Sequence, residues 1–409
     1  MIFSQTNFTI LATLLHAALL AQADTPRYAQ KIDPRSFAVL DNVPTGIIFN
    51  GTSHFMPPGT TSESLKAKPF HIYDDSFYDI IGSDPTLTLL AQTDTDPIFH
   101  EAVVWHPETN SVYFAQNAGP VAAGTGLNKS AIVQKIYLDE ADKIVAQGNG
   151  SGFVNITTVN SGQQVINPNG GTNFRGKIVY TAEGQGDNIP AALYLIDPND
   201  NDNTTVILNN FFGRQYDSLN DVAVNPRNHE LYFTDGPFGW VQAFRPDPVL
   251  PTQVYRFNYD TGVVRAVADG FHMTNGITFS PDGMYAYITD TGLSSGFWGY
   301  NYTNPSTIYR YDVSDDGNFS NRQLFAYNEI RVPDGIHCDK QGNVYVGNGD
   351  GINVYNPSGL LIGKIYLGTT SANFAFTGKG KMVVCAETKL WYVNWNAEGA
   401  DITSREYMG

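Results

Sequence analysis

Six polar residues recur at the entrance to apolar, strand-like runs. They are Glu101 in HEAVVW, Asn169 in NPNGGT, Asn220 in LNDVAV, Asn275 in TNGITF, Asp334 in PDGIHC and Asn373 in ANFAF. A second set, Gln116, Glu183, Asp235, Asp290, Asn348 and Glu387, follows 14 or 15 residues later in every case. The leading set offers only oxygen donors, two carboxylates and up to four amide carbonyls. Two carboxylates buried together need charge compensation, and a hard cation supplies it. Oxygen-only ligation with several neutral carbonyls favours Ca²⁺ over Mg²⁺, which demands tighter octahedral geometry. Asn-Gly, Asn-Asp and Pro-Asp-Gly are also ordinary turn sequences, and repeats inherit turns. Glu101 is an odd choice for a position that serves only a turn.

Residues so far apart in the chain meet only if the intervening elements return them to one axis. Each leading and closing residue brackets a strand, a turn and a second strand. A third strand follows in every copy: KIYLD, LYLID, VYRFNYD, IYRYD, INVYN and LWYVN. A fourth precedes the next copy, as in TVILNN, VVRAVADGF, RQLFAYN and LIGKIYL. Four antiparallel strands over about 50–60 residues make a propeller blade. Six copies predict an all-β, six-bladed β-propeller whose leading residues converge at one end of the central channel. The last copy stops soon after LWYVNW and lacks its fourth strand, whereas TLTLLAQ (Thr86 to Gln92) precedes the first copy. That segment is predicted to pair with the final blade and close the ring, which hides otherwise open edges. An open β-solenoid would need no such strand. The expected organisation is a leader over 1–23, an N-terminal extension over 24–85 that packs outside or across one face, and the propeller over 86–409.

Composition agrees with this architecture. The 409 residues are 42% hydrophobic, ample for a core, and 39 Gly, 22 Pro and only 16% charged residues suit turns and strands rather than long charged helices. A net charge of −16 argues against nucleic acid and anionic membranes as partners. The apolar start ends in Ala21-Gln22-Ala23, a small-x-small site that reads as a secretory signal peptide. The run is too short for the roughly 20 residues of a membrane span. Asn-x-Ser/Thr sequons at Asn50, Asn128, Asn149, Asn155, Asn203, Asn301 and Asn318 suit a secreted chain carrying N-glycans. Cys338 and Cys385 allow one disulfide or two buried thiols, and no zinc or thiol chemistry is suggested.

The segments SLNDVAVNPRNHELYFTDGPFG, TNGITFSPDG and PDGIHCDKQGNVYVG resemble the gluconolactonase/regucalcin family of six-bladed, calcium-dependent lactonases. KPFHIYDDSFYDIIGSDPTLTLLAQTDTDPIFHEAVVW, AGTGLNKS, QVINPNGGT and NPSGLLIGKIY look like its secreted fungal lactonohydrolases, which open aldonate and pantoyl lactones. The resemblance covers nearly the whole mature chain. It implies a small-molecule lactone substrate and one Ca²⁺ in the central channel. Glu101, Asn275 and Asp334 match the family's metal ligands, and Asn220 matches an asparagine at the metal and substrate site. Asn169 is assigned to substrate or water contact, and Asn373 to structure.

Asp334 is the candidate general base for the attacking water, although a metal-bound carboxylate is a weak base; alternatively the cation activates the water and Asp334 orients it. His100 and His337 flank the ligands in sequence and could serve instead, but strand alternation is expected to turn His100 away, with the same objection for His337. Glu183 and Asp235 are expected in supporting or turn roles. No serine nucleophile is expected, because the strand repeat is not the strand–turn–helix fold that a G-x-S-x-G serine requires. The segments GPFGWVQAFRPDPVLPTQ and TGLSSGFWGYNYTNPS are expected to wall or lid the metal face. Rival functions on the same scaffold are a paraoxonase-type arylesterase or organophosphatase, and a binding propeller without catalysis.

Overall fold

The structure, a computed structural model, describes residues 25–43, 55–116, 124–159 and 163–400. The expected leader and the Asn50 sequon lie outside the described residues.

Five antiparallel sheets of four strands and one of six are arranged as blades around an axis. The innermost strands are Glu101–His106, Pro168–Phe174, Leu219–Val224, Thr274–Phe279, Ile336–Cys338 and Phe374–Phe376. Successive innermost strands pack side by side, and that of blade six meets that of blade one. Blades five and six are joined there by the Gly335 N–H, which donates to the Ala372 carbonyl at 2.8 Å. The ring closes as the sequence predicts: Thr86–Gln92 is the outermost strand of blade six, antiparallel to Lys389–Asn394, with Thr86 opposite Asn394.

Burial falls from the axis outward. The second strands Ser111–Ala115 and Leu231–Asp235 are buried throughout, while the outer strand Val263–Ala268 is largely exposed. Tyrosine recurs in the second strand of five blades, as Tyr113, Tyr180, Tyr232, Tyr287 and Tyr345, all almost completely buried. Such a ring fills the wedge between blades, and its hydroxyl needs a partner there. Tyr180 donates to the Ala102 carbonyl at 2.9 Å, and Tyr345 to Asp339 Oδ2 at 2.9 Å.

Two features have no counterpart in the repeat. A helix, Leu138–Ala146, is inserted between the third and fourth strands of blade one, burying Leu138, Ala141 and Ile144. The described part of the extension adds strands to blade five: Phe70–Ile72 pairs antiparallel with Leu361–Tyr366, and Ala29–Lys31 pairs parallel with Phe70–Ile72. Phe70, Phe77 and Ile81 bury against Ile352, Val354 and Ile365. Gly363 is required there, because a Cβ would lie 2.3 Å from the Phe77 ring. The buried Lys364 Nζ nearby is neutralised by Glu329 Oε1 at 2.8 Å and Asp350 Oδ2 at 2.9 Å.

The feature that positions the site is a bulge repeated in the innermost strands. In blades one to four the register with the second strand shifts between Glu101 and Val104, Pro168 and Gly171, Leu219 and Val222, and Thr274 and Ile277. Three steps on the inner strand face two on its partner, so one extra residue bends the strand and re-aims a side chain. Asn169, Asn220 and Asn275 sit inside these bulges, and Glu101 opens one. Threonines on the second strands brace the next blade. Thr181 Oγ1 donates to the Asn220 carbonyl (2.6 Å), Thr234 Oγ1 to the Asn275 carbonyl (2.7 Å), and Thr289 Oγ1 to the Asp334 carbonyl (3.0 Å).

Candidate active site

Five of the six leading residues form one polar ring with a carboxylate pair in it. Glu101 and Asp334 are close enough to repel each other, and Asn275 lies beside Asp334. Asn373 Nδ2 donates to Glu101 Oε2 at 3.1 Å. Asn220 occupies the equivalent bulge of blade three and is buried. Asn169 sits in the equivalent bulge of blade two, and Glu183, which closes that blade, accepts from Ser218 Oγ at 2.9 Å.

Burial and like charge dominate the electrostatics. Glu101 is pushed well above the usual carboxylate range, first by burial and then by repulsion from Asp334. Burial also raises Asp334, to about 6, against the pull of His100 and hydrogen bonds from Asn275 and Glu101. Such a pair keeps one proton between its members unless a cation replaces it.

The polar satisfaction of the ring is uneven. Asn169 Oδ1, Asn220 Oδ1 and Asp334 Oδ1 are buried and accept no hydrogen bond. Each unpartnered buried oxygen costs about 1–3 kcal/mol, so three on one ring call for a shared partner. Carboxylate and amide oxygens facing a repelling acid pair fit a hard cation of the Ca²⁺ type. Among the described residues no group of three or more His, Cys, Asp or Glu side chains is placed to hold a metal. A cation at the ring would therefore depend on amide oxygens as well as Glu101 and Asp334.

One expectation changes, and Asn373 keeps the structural role assigned to it. His100 does not turn away: its Nε2 lies 3.7 Å from Glu101 Oε1, and its Nδ1 lies 3.2 Å from Glu387 Oε1. The alternation rule fails because His100 precedes the strand and Glu101 opens a bulge. Burial disfavours charge on His100, but Glu387, Glu101 and Asp334 outweigh it and hold its pKa at about 10. The ring also does not present an oxygen from every member. Asn373 Oδ1 is taken by the Phe374 N–H at 2.8 Å and lies 3.3 Å from His337 Nε2, so its NH₂ faces Glu101.

Three closing residues spend their side-chain oxygens on backbone N–H groups. Asp235 accepts from the Ser218 and Asp217 N–H groups at 2.9 and 3.2 Å. Asp290 accepts from His272, Met273 and Gly292 at 3.0, 2.9 and 3.1 Å. Asn348 Oδ1 accepts from Asp350 and Gly351. Asp235 and Asp290 thus tie down the chain entering the innermost strands, and Asn348 the turn into the third strand of its blade. Cys338 and Cys385 are buried free thiols, so the disulfide alternative falls away.

A cavity of about 580 Å³ continues the channel behind the ring, lined by Val104, Gly171, Val222, Ile277, His337 and Ala375 among others. No leading residue lines it, so it is the bore behind the ring rather than the mouth. The long loops after Asp235 and Asp290 leave from the ring's end, because those residues pair with Leu219 and Thr274. The loops carry a short helix, Phe238–Val241, and a 3₁₀ turn, Gly296–Trp298, which meet where Trp240 and Trp298 stack edge-on at 4.1 Å.

Residues 99–388 match the family described as the SMP-30/Gluconolactonase/LRE-like region. Lactonohydrolase oryH of Aspergillus oryzae is 25% identical over 389 residues, covering 78% of this chain and 77% of its own length. Lactonohydrolase oryL of the same organism is 26% identical over 367 residues, covering 84% of this chain and 78% of its own. The solved gluconolactonase of Xanthomonas campestris superposes with a TM-score of 0.63 at 20% identity, covering 80% of this chain and 95% of that one.

Proposed function

The chain belongs to the SMP-30/gluconolactonase/LRE-like family and is a lactone hydrolase, and we propose that it opens an aldonate or pantoyl lactone with one Ca²⁺ held at the channel mouth. The observation that carries the reading is the set of unpartnered oxygens on Asn169, Asn220 and Asp334 around the buried Glu101–Asp334 pair. Glu101, Asn220, Asn275 and Asp334 are the residues that would hold the cation. The chemistry such a cation would supply when bound is polarisation of a carbonyl and stabilisation of negative charge on its oxygen.

The remaining work falls to side chains. Water adds its oxygen to the lactone carbonyl carbon, the ring C–O bond breaks, and the departing alkoxide takes a proton to give the hydroxy acid. Asp334 Oδ1, unpartnered at the ring, is the atom to accept or orient the water's proton. His100, hydrogen-bonded to Glu387 and beside Glu101, is the second group able to hold a proton there. Asn169 and Asn220 orient substrate. The loops joined by Trp240 and Trp298 supply a wall on the side of blades three and four.

We further propose that residues 1–23 are a leader removed on secretion, with 24–85 the extension and 86–409 the catalytic propeller. The exposure of Asn128, Asn149, Asn155, Asn203 and Asn301 supports N-glycans on the mature chain. A hydrolysis panel of aliphatic lactones and aryl esters tests the activity. Faster turnover of lactones is expected. Preference for aryl esters would assign the chain to the arylesterase alternative, and calcium binding without turnover of any substrate would make it a binding propeller.

A further inference from the structure

Asn373 occupies the blade-six position of the ring, yet its hydrogen bonds face the wrong way for a cation ligand. A backbone N–H can only donate, so the Phe374 N–H at 2.8 Å fixes the side-chain oxygen as Oδ1. His337 Nε2, 3.3 Å from the same oxygen, must then carry the imidazole proton. The two donors leave Nδ2 to bind Glu101 Oε2 at 3.1 Å. His337 is held in turn by its ring edge against Phe374, with centroids 5.0 Å apart, and it lines the cavity behind the ring. Gly335 makes the room: a Cβ there would lie 2.7 Å from Asn373 Cγ and 2.8 Å from its Nδ2.

Resting on the reading of the ring as a cation site, we propose that His337 and Asn373 are a pair of positioning residues that set the Glu101 carboxylate from the channel side. Asn373 is then a donor to a ligand and not itself a ligand. His337 acts on the cation only through Asn373. The Gly335 in the PDG sequence serves this pair as well as the turn. Outer partners that orient metal ligands typically change metal affinity about 10–100-fold when removed.

The test is calcium binding by titration calorimetry on the full chain after chelation, with the unfolding midpoint in chelator measured in parallel. Wild type is expected to bind one Ca²⁺. Asn373→Leu should weaken binding by about 10–100-fold and His337→Leu by about 10-fold. His337→Gln, whose amide can donate to the same oxygen, should stay within about threefold of wild type. The double variant should be no weaker than Asn373→Leu alone, because His337 has no separate route to the cation. If His337→Leu does not fold, Gly335→Ala supplies the second perturbation and should weaken binding by displacing the amide. Unchanged affinity in His337→Leu, or additive losses in the double variant, would overturn the pairing. Absence of calcium binding by wild type would instead overturn the ring reading, and the pairing with it.

Discussion

The residues that open the innermost strands and the residues that close the strands beside them are equally regular along the chain and similarly buried, but their chemical states differ. Asp235, Asp290 and Asn348 spend their side-chain oxygens on backbone N–H groups of neighbouring turns. Asn169, Asn220 and Asp334 keep a buried oxygen that accepts nothing. Repetition alone therefore does not separate a turn residue from a site residue, because both recur once per blade. Saturation of the side-chain oxygens separates most of them, with one exception on each side. Asn373 marks the boundary from one side, in a leading position but saturated, and Gln116, in a closing position with an unpartnered Oε1, marks it from the other.

The sharpest way to break this contrast is to change one member of each set. Asp334→Asn should lower kcat/KM for the best lactone by about 10²–10⁴-fold while the unfolding midpoint in chelator holds or rises, since a buried like-charge pair is relieved. A large loss of stability with little loss of turnover would move Asp334 into the structural set. Asp290→Ala should behave in the opposite way, leaving three backbone donors unpaired at a cost of about 3 kcal/mol or more in urea unfolding. The folded fraction should keep its kcat. If turnover fell and stability held, the closing residues would belong to the site.

Histidines extend the same contrast to pH. Burial depresses His71 and His337 to about 4, so both are neutral when folded but protonate near 6.5 when unfolded. The unfolded state then binds more protons between these values, and stability is lost as pH falls from about 6.5 to about 4, by roughly 3 kcal/mol for each residue. His100 has the reverse sign: its raised pKa contributes stability below about 6.5 that is lost as pH rises through about 10. Raised carboxylates such as Asp334, Glu183 and Asp235 act with the opposite sign over this range, so the effect is read as a difference: from pH 7 to pH 4 wild type should lose denaturant stability relative to His71→Gln. A slope that His71→Gln leaves untouched would contradict the assignment. The smallest expected change is Thr289→Val, which removes the 3.0 Å bond to the Asp334 carbonyl and should cost about 1 kcal/mol with a minor effect on KM.

Much of this architecture was legible because each blade repeats the same strand pattern. The copies located every innermost strand, and the missing fourth strand of the last copy identified Thr86–Gln92 as the closing one to the residue. Segments without a second copy gave no such signal. Phe70–Ile72 adds to blade five through its own apolar residues and Gly363, and the helix Leu138–Ala146 is an insertion confined to blade one. The buried tyrosine of five second strands, in SVYF, IVYT, LYF, AYI and VYV, is equally readable as part of the repeat. Side-chain direction was the least legible. Alternation predicts the wrong side for His100 because a bulge begins beside it, and the orientation of Asn373 depends on Gly335 and His337 from another blade.

The central question is whether the ring holds a cation that the reaction needs. Lactone hydrolysis by chelator-treated protein, followed by stepwise addition of calcium, tests this most directly. Activity should disappear on chelation and return in full with about one Ca²⁺ per chain, and Glu101→Gln should require far more calcium for the same recovery. Undiminished hydrolysis in chelator would contradict it.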